Sequence, residues 1–197
     1  MTIARARITG LILAGGRGTR MGGVDKGLQP LDGAPLVEHA LRRLAPQVDR
    51  VLINANRNVE SYRRFGVPVC PDAETTFAGP LAGFLAGLMQ CKTEWLVTVP
   101  CDTPRFPVDF VVRLAEQVCD APAAVALTES DGERQRQPVF CLLRRSLDVD
   151  LAAYLADGGR KIDVWLERND CVDVFFEDAG AFFNANTIGE LRQLGKE

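Results

Sequence analysis

The sequence predicts an α/β fold with a mostly parallel central sheet and helices between its strands. Short apolar runs of strand length alternate with stretches of helical period. The first run, Ile8–Ala14, is continuously apolar, as in a strand covered on both faces. It stops abruptly in the glycine-rich, basic stretch Gly15–Gly27, the way a parallel strand hands its end to a phosphate-binding loop.

The remaining elements follow in order. Pro35–Leu44 reads as a helix: Pro35 suits the first turn, and Leu36, Val37, Ala40, Leu41 and Leu44 form one stripe. Val51–Ala55 is a short strand, Glu60–Phe65 a short helix and Val67–Cys70 a third strand ending in Pro71-Asp72. Gly79-Pro80 opens a helix from Leu81 to Cys91 that is apolar almost all round and therefore buried. Its Gly83 and Gly87, one turn apart, are expected to admit a neighbouring backbone. Trp95–Val99 is a central strand ending in Pro100-Cys101-Asp102-Thr103-Pro104, followed by a helix over Val108–Val118. Ala123–Thr128 and Pro138–Leu143 are strands on either side of a polar loop or hairpin, Glu129–Gln137. Helices over Leu147–Ala156 and Lys161–Glu167, a strand over Val172–Phe176 and a closing helix over residues 187–194 complete the pattern. The connection Asp72–Ala78 and the 129–137 segment are the expected mobile, functional segments.

Composition narrows the class. Hydrophobic residues are 47% of the 197-residue chain and charged residues 25%, as in an ordinary globular protein, most simply one domain over 1–197. A net charge of −3 does not suggest a polyanion-binding surface, so no nucleic-acid partner is expected. No apolar run approaches the roughly 20 residues of a membrane span, so no membrane association is expected. The six cysteines have no C-x-x-C spacing and read as free thiols in a reducing cytoplasm. The single histidine, His39, lies among Glu38, Arg42 and Arg43 and is expected to be solvated.

The opening loop fails two familiar tests. A dinucleotide fingerprint needs a third glycine where Met21 stands, and a P-loop lysine is not preceded by Asp25 and followed by Gly27. Glycine there has a backbone explanation on its own. Yet Arg17, Arg20 and Lys26 concentrate positive charge at a strand's carboxyl end in an acidic protein, and cations with backbone N–H groups clamp phosphoryl oxygens. Asp102, just past a buried strand, would face the same crevice, although a capping role explains it equally well in isolation. Asn54 and Asp72 each follow a strand, where turn chemistry is the simpler account.

Leu13-Ala14-Gly15-Gly16, Arg20-Met21-Gly22 and Asp25-Lys26 together resemble the signature of nucleotidyltransferases. Over nearly the full length the chain is similar to the molybdenum cofactor guanylyltransferases. The likeness covers Gly22-Gly23-Val24-Asp25-Lys26-Gly27-Leu28, Asn54-Ala55-Asn56-Arg57, Gly79-Pro80-Leu81-Ala82-Gly83, Pro100-Cys101-Asp102-Thr103-Pro104 and Asn184-Ala185-Asn186-Thr187. Ile188 stands where the family has proline. The resemblance implies a three-layer α/β/α Rossmann-like nucleotidyltransferase fold, with a nucleotide-binding N-terminal half and an acceptor-binding C-terminal half. It implies transfer of GMP from GTP to the phosphate of molybdopterin. It assigns Arg20, Lys26 and Asp102 to catalysis, and Leu13, Ala14, Gly15, Lys26, Asn54, Asp72 and Asp102 to the nucleotide. It gives Asp102 to Mg²⁺, with Mn²⁺ as substitute. Asn186 is offered to the metal or the pterin side, or to capping of the last helix, and Arg160-Lys161 with the 129–137 segment to the pterin. Molybdenum-insertion proteins and molybdoenzyme chaperones are the protein partners it suggests.

Two physical arguments stand beside the resemblance. Asp72, as a carboxylate, only accepts hydrogen bonds, which suits the N1–H and N2–H donors of guanine and not cytosine. The lack of a convincing general base suits a nucleophile already ionised, a phosphate monoester. The readings left open are a CTP-dependent sister transferase, another phosphorylated acceptor, and a non-catalytic nucleotide-binding regulatory protein. A dinucleotide-dependent oxidoreductase is disfavoured by the failed fingerprint.

Overall fold

The computed structural model of the chain describes residues 2–15, 25–72 and 79–185. Its main sheet has seven strands: β1 Ile8–Leu13, β4 Arg50–Asn54, β5 Val69–Cys70, β6 Trp95–Pro100, β7 Ala123–Ser130, β8 Glu133–Arg144 and β9 Val172–Phe176. The numbers β2 and β3 go to a small separate hairpin, Pro30–Leu31 with Ala34–Pro35. The described residues also form short 3-10 turns and six α-helices: α1 Leu36–Leu44, α2 Val59–Arg63, α3 Pro80–Gln90, α4 Phe110–Gln117, α5 Asp148–Ala156 and α6 Ile162–Arg168. The expected closing helix at 187–194 lies outside the described residues.

The strand order is β5-β4-β1-β6-β8-β7-β9. Strands β5, β4, β1 and β6 run parallel, β8 runs antiparallel to both its neighbours, and β9 is parallel to β7. The alternation of side chains along each strand sends apolar residues to both faces. Ile8, Ile12, Trp95, Val97 and Val99 pack on one face with α1, α2 and α4. Leu11, Leu96, Val125 and Cys141 pack on the other with α3, α5 and α6. The result is the expected three-layer α/β/α arrangement. Because β4 and β6 flank β1 on opposite sides, the order reverses at β1, the kind of switch point beyond whose carboxyl end such sheets form a ligand crevice.

Several local expectations change. Pro35 closes the small hairpin and caps α1 rather than entering its first turn. Of the two readings of 129–137, loop or hairpin, the hairpin holds: β7 and β8 pair through Ser130↔Glu133, and Asp131 (φ 53°) with Gly132 (φ 81°) makes the tight turn. Between Val125 and Ala126 the register shifts, so residues 138–140 bulge from the ladder. That is where Pro138, which cannot donate a ladder hydrogen bond, is accommodated. His39 is not simply solvated: its Nε2 is 2.7 Å from the Leu31 carbonyl oxygen and ties α1 to the small hairpin.

Helix α3 is buried from Leu81 to Leu88, as its composition requires. Its glycines admit side chains rather than a backbone. A Cβ at Gly83 would lie 2.5 Å from Asn54 Oδ1 and 2.6 Å from Leu13 Cδ2, and one at Gly87 would lie 2.5 Å from Leu11 Cδ2.

Candidate functional site

The crevice is built from strand ends. Leu13 closes β1, with Asn54 beside it on β4 and Pro100 beside it on β6. The ladder runs slightly further on both sides, since Ala14 N–H donates to Asn54 O (2.8 Å) and Cys101 N–H to Leu13 O (3.0 Å). Leu13, Ala14 and Gly15 therefore form the floor, with Asn54 on one flank and Asp102 on the other. Gly15 lies so close to the Asn54 and Asn56 amides that a Cβ there would come within 3.0 and 3.1 Å of them.

At the β6 end, Lys26 Nζ donates to Asp102 Oδ2 at 2.9 Å, with side chains 24% and 18% exposed. Two charges 76 residues apart in sequence are thus brought into contact, partly shielded from water. The backbone at Asp102 is fastened by residues near the end of the chain. Ala185 N–H donates to Asp102 O (2.9 Å), and the Thr103 hydroxyl donates to Asn184 Oδ1. Beneath this contact Phe106, Phe110, Phe140, Phe176 and Phe182 pack edge-to-face or tilted, giving the Asp102 turn a rigid apolar base.

At the β5 end, Asp72 is held by two asparagines. Asn54 Nδ2 donates to Asp72 Oδ1 (2.8 Å) and to Cys70 O (3.0 Å). Asn56 Nδ2 donates to Asp72 Oδ2 (2.7 Å), and Asp72 N–H returns a bond to Asn56 Oδ1 (2.8 Å). Each carboxylate oxygen keeps further lone pairs for an incoming donor.

Burial disfavours the thiolate form of the cysteines at the site. Burial, helped by Asp102 and Asp25, pushes the Cys101 thiol up, and burial pushes Cys70 up to about 12. Among the described residues no group of three or more carboxylate, imidazole or thiolate ligands could cage a metal. Asp102 offers a single hard oxygen donor, which fits a cation that keeps most of its ligands as water and phosphate oxygen.

Of the residues singled out in the sequence, Leu13, Ala14, Gly15, Lys26, Asn54, Asp72 and Asp102 line this one row of strand ends. Arg20, Arg17 and Asn186 lie outside the described residues. Sequence reasoning passed over Asn56 and Thr103 as contributors. Asn56 carried a signal, because it stands two residues beyond Asn54 at the same strand end.

Residues 10–172 match the family described as MobA-like NTP transferase domain. The chain belongs to that family. It is 56% identical over 201 residues to the molybdenum cofactor guanylyltransferase of Ralstonia nicotianae, covering 98% of each chain. It is 56% identical to the protein of the same name from Cupriavidus pinatubonensis, covering 96% of this chain and 97% of that one. In three dimensions it resembles molybdopterin-guanine dinucleotide biosynthesis protein A from Archaeoglobus fulgidus. That likeness has a TM-score of 0.77 at 23% identity and covers 95% of this chain and 97% of the other. It is a likeness of fold.

Proposed function

We propose that this protein transfers the guanylyl group of GTP to the phosphate of molybdopterin, giving the guanine dinucleotide and pyrophosphate. The observation that carries the reading is the placing of two unlike sites along one row of strand ends. A carboxylate held by two amides stands at β5, and a lysine–aspartate pair stands at β6. Three inter-strand steps of about 4.8 Å separate them, roughly 14 Å, which is the scale of an extended nucleotide. The near-full-length likeness to proteins named as guanylyltransferases supports the choice of base and acceptor.

In this reading Asp72 accepts the N1–H and N2–H of guanine, while Asn54 and Asn56 keep its carboxylate turned toward the base. Leu13–Gly15 support the nucleoside, and Lys26 and Arg20 bind phosphate oxygens. Asp102 holds Mg²⁺, which neutralises phosphate charge when bound. The chain's single histidine is engaged at Leu31, and the nucleophile needs no base, since a phosphate monoester is already ionised. Its oxygen forms the new bond to the α-phosphorus as the α–β bridging bond breaks and pyrophosphate leaves. What the protein contributes is positioning and charge neutralisation. The 129–137 hairpin and Arg160-Lys161 are assigned to the pterin side. We place the reaction in the cytoplasm, where the six free cysteines stay reduced.

The test is incubation with molybdopterin, Mg²⁺ and each nucleoside triphosphate in turn, with mass detection of the dinucleotide. Guanine dinucleotide and pyrophosphate are expected from GTP; product from CTP alone, or none from any triphosphate, overturns the reading. Asp72→Asn replaces one acceptor with a donor, and its GTP-over-CTP preference in kcat/KM is expected to fall at least about tenfold. An unchanged preference removes Asp72 from base recognition.

A further inference from the structure

We propose that Tyr62 and Asp25 form a latch that positions Lys26 for phosphate binding, an inference that rests on the guanylyl-transfer reading. Lys26 opens a short 3-10 turn, Lys26–Leu28, whose backbone bonds close on Asp25 O and Lys26 O. The side chain just before it, Asp25, is held from α2. The Tyr62 hydroxyl donates to Asp25 Oδ1 at 2.5 Å, and Asn58 Nδ2 donates to Asp25 Oδ2 at 3.0 Å. Both carboxylate oxygens are thus fixed one residue from the lysine that reaches Asp102.

Three independent features show that this contact is built rather than incidental. Tyr62 is fully buried, and its environment would suit phenylalanine except for the one oxygen that meets Asp25. Gly27 lies against that oxygen: a Cβ there would collide with Tyr62 Oη, so a larger residue would have to push the ring or the turn aside. Asn58 stands at the N-cap of α2 with φ 50°, yet its side chain makes no capping bond. An asparagine there ordinarily accepts from its own helix through Oδ1; here Oδ1 makes no such bond and Nδ2 donates to Asp25. Burial, the largest influence, pushes the Tyr62 hydroxyl up, which favours the protonated, donating form. Since α2 follows Asn54 and Asn56 directly, the latch also joins the lysine turn to the segment that holds Asp72.

Tyr62→Phe removes one oxygen and leaves the ring in place. Amide hydrogen exchange over residues 25–29 is expected to speed up, with the melting temperature nearly unchanged. The kcat for guanylyl transfer is expected to fall about tenfold while KM for GTP moves within about twofold, because misplacement is felt most at the transition state. Asp25→Ala should show the same defect, and the double variant should be no worse than Asp25→Ala alone. Unchanged exchange at 25–29 in both variants, or additive losses in the double variant, overturns the latch. A loss of activity that only tracks the folded fraction also overturns it, and Asp25→Ala, at a partly exposed side chain, keeps the test usable where Tyr62→Phe folds poorly. Absence of guanylyl transfer by the unaltered protein would instead strike the functional reading, and the exchange measurement would still decide the latch.

Discussion

Asp102 and Lys26 meet where water still reaches both, so their pairing contributes little to stability, about 1 kcal/mol or less. In the proposed function their weight lies elsewhere, with Lys26 assigned to the phosphates and Asp102 to Mg²⁺. Asp102→Asn is therefore expected to lower kcat at least about a hundredfold in a pyrophosphate-release assay, with only a small shift in urea midpoint. Asp150 behaves oppositely. Its Oδ1 accepts from Asn169 Nδ2 (3.0 Å) and Trp165 Nε1 (2.9 Å), and Oδ2 from Arg168 (3.1 Å). The Asn169 bond leads in holding its carboxyl below the usual range, with the Trp165 bond and Arg168 adding to it. A carboxylate lowered in the folded state stabilises above its unfolded value, about 3.9, and loses that contribution as pH falls through the folded value. Urea unfolding across the acid range should show Asp150→Asn less stable at neutral pH, the difference narrowing as pH drops below about 4. A constant difference would mean that only packing was lost.

At the scale of elements, α3 carries two glycines with different neighbours. Gly87 faces the ends of Leu11 and Leu96, while Gly83 faces the Asn54 amide that holds Asp72. Alanine gains up to about 1 kcal/mol of helix propensity, against about 1–3 kcal/mol of overpacking. Gly87→Ala is expected to destabilise by about 1 kcal/mol in chemical denaturation and leave kinetics alone. Gly83→Ala must move Asn54, and its KM for GTP should rise about tenfold at similar stability. Most elements were legible because burial on both faces leaves continuous apolar runs, as at Ile8–Leu13 and Trp95–Pro100. The arm of β8 over residues 133–137 was not, since backbone pairing holds it and its polar side chains leave no apolar signature. The hairpin alternative for 129–137 implied that β8 runs antiparallel to β7, but its pairing with β6 left no local trace, because that is decided by which strands meet. Asp72, Asp102 and Lys26 could be picked out as strand-end chemistry, whereas the bond from Tyr62 to Asp25 spans 37 residues and has no local trace.

For the whole molecule, two apolar layers enclose most of the sulfur. Cys70, Cys91, Cys101 and Cys141 are buried and Cys171 is partly so, while Cys119 is exposed. Burial also pushes the Cys101, Cys141 and Cys171 thiols up. Brief treatment of the native protein with iodoacetamide should therefore modify Cys119 first, as read by peptide mass, and leave guanylyl transfer intact. Early modification of Cys101 would mean that the β6 end opens far more readily than its packing implies. No helix among the described residues is long and apolar enough to cross a membrane.

The bonds from Ala185 and Asn184 to the turn at Asp102 and Thr103 have a consequence for synthesis. Strands β1, β4, β5 and β6 all leave the ribosome within the first 100 residues, and with them Lys26, Asp72 and the parallel half of the sheet. The turn at Asp102 receives its fastening only after another 80 residues have been made. The residues assigned to the base are thus all made long before those that fasten the turn assigned to the phosphates, so that end of the row is the last to be completed.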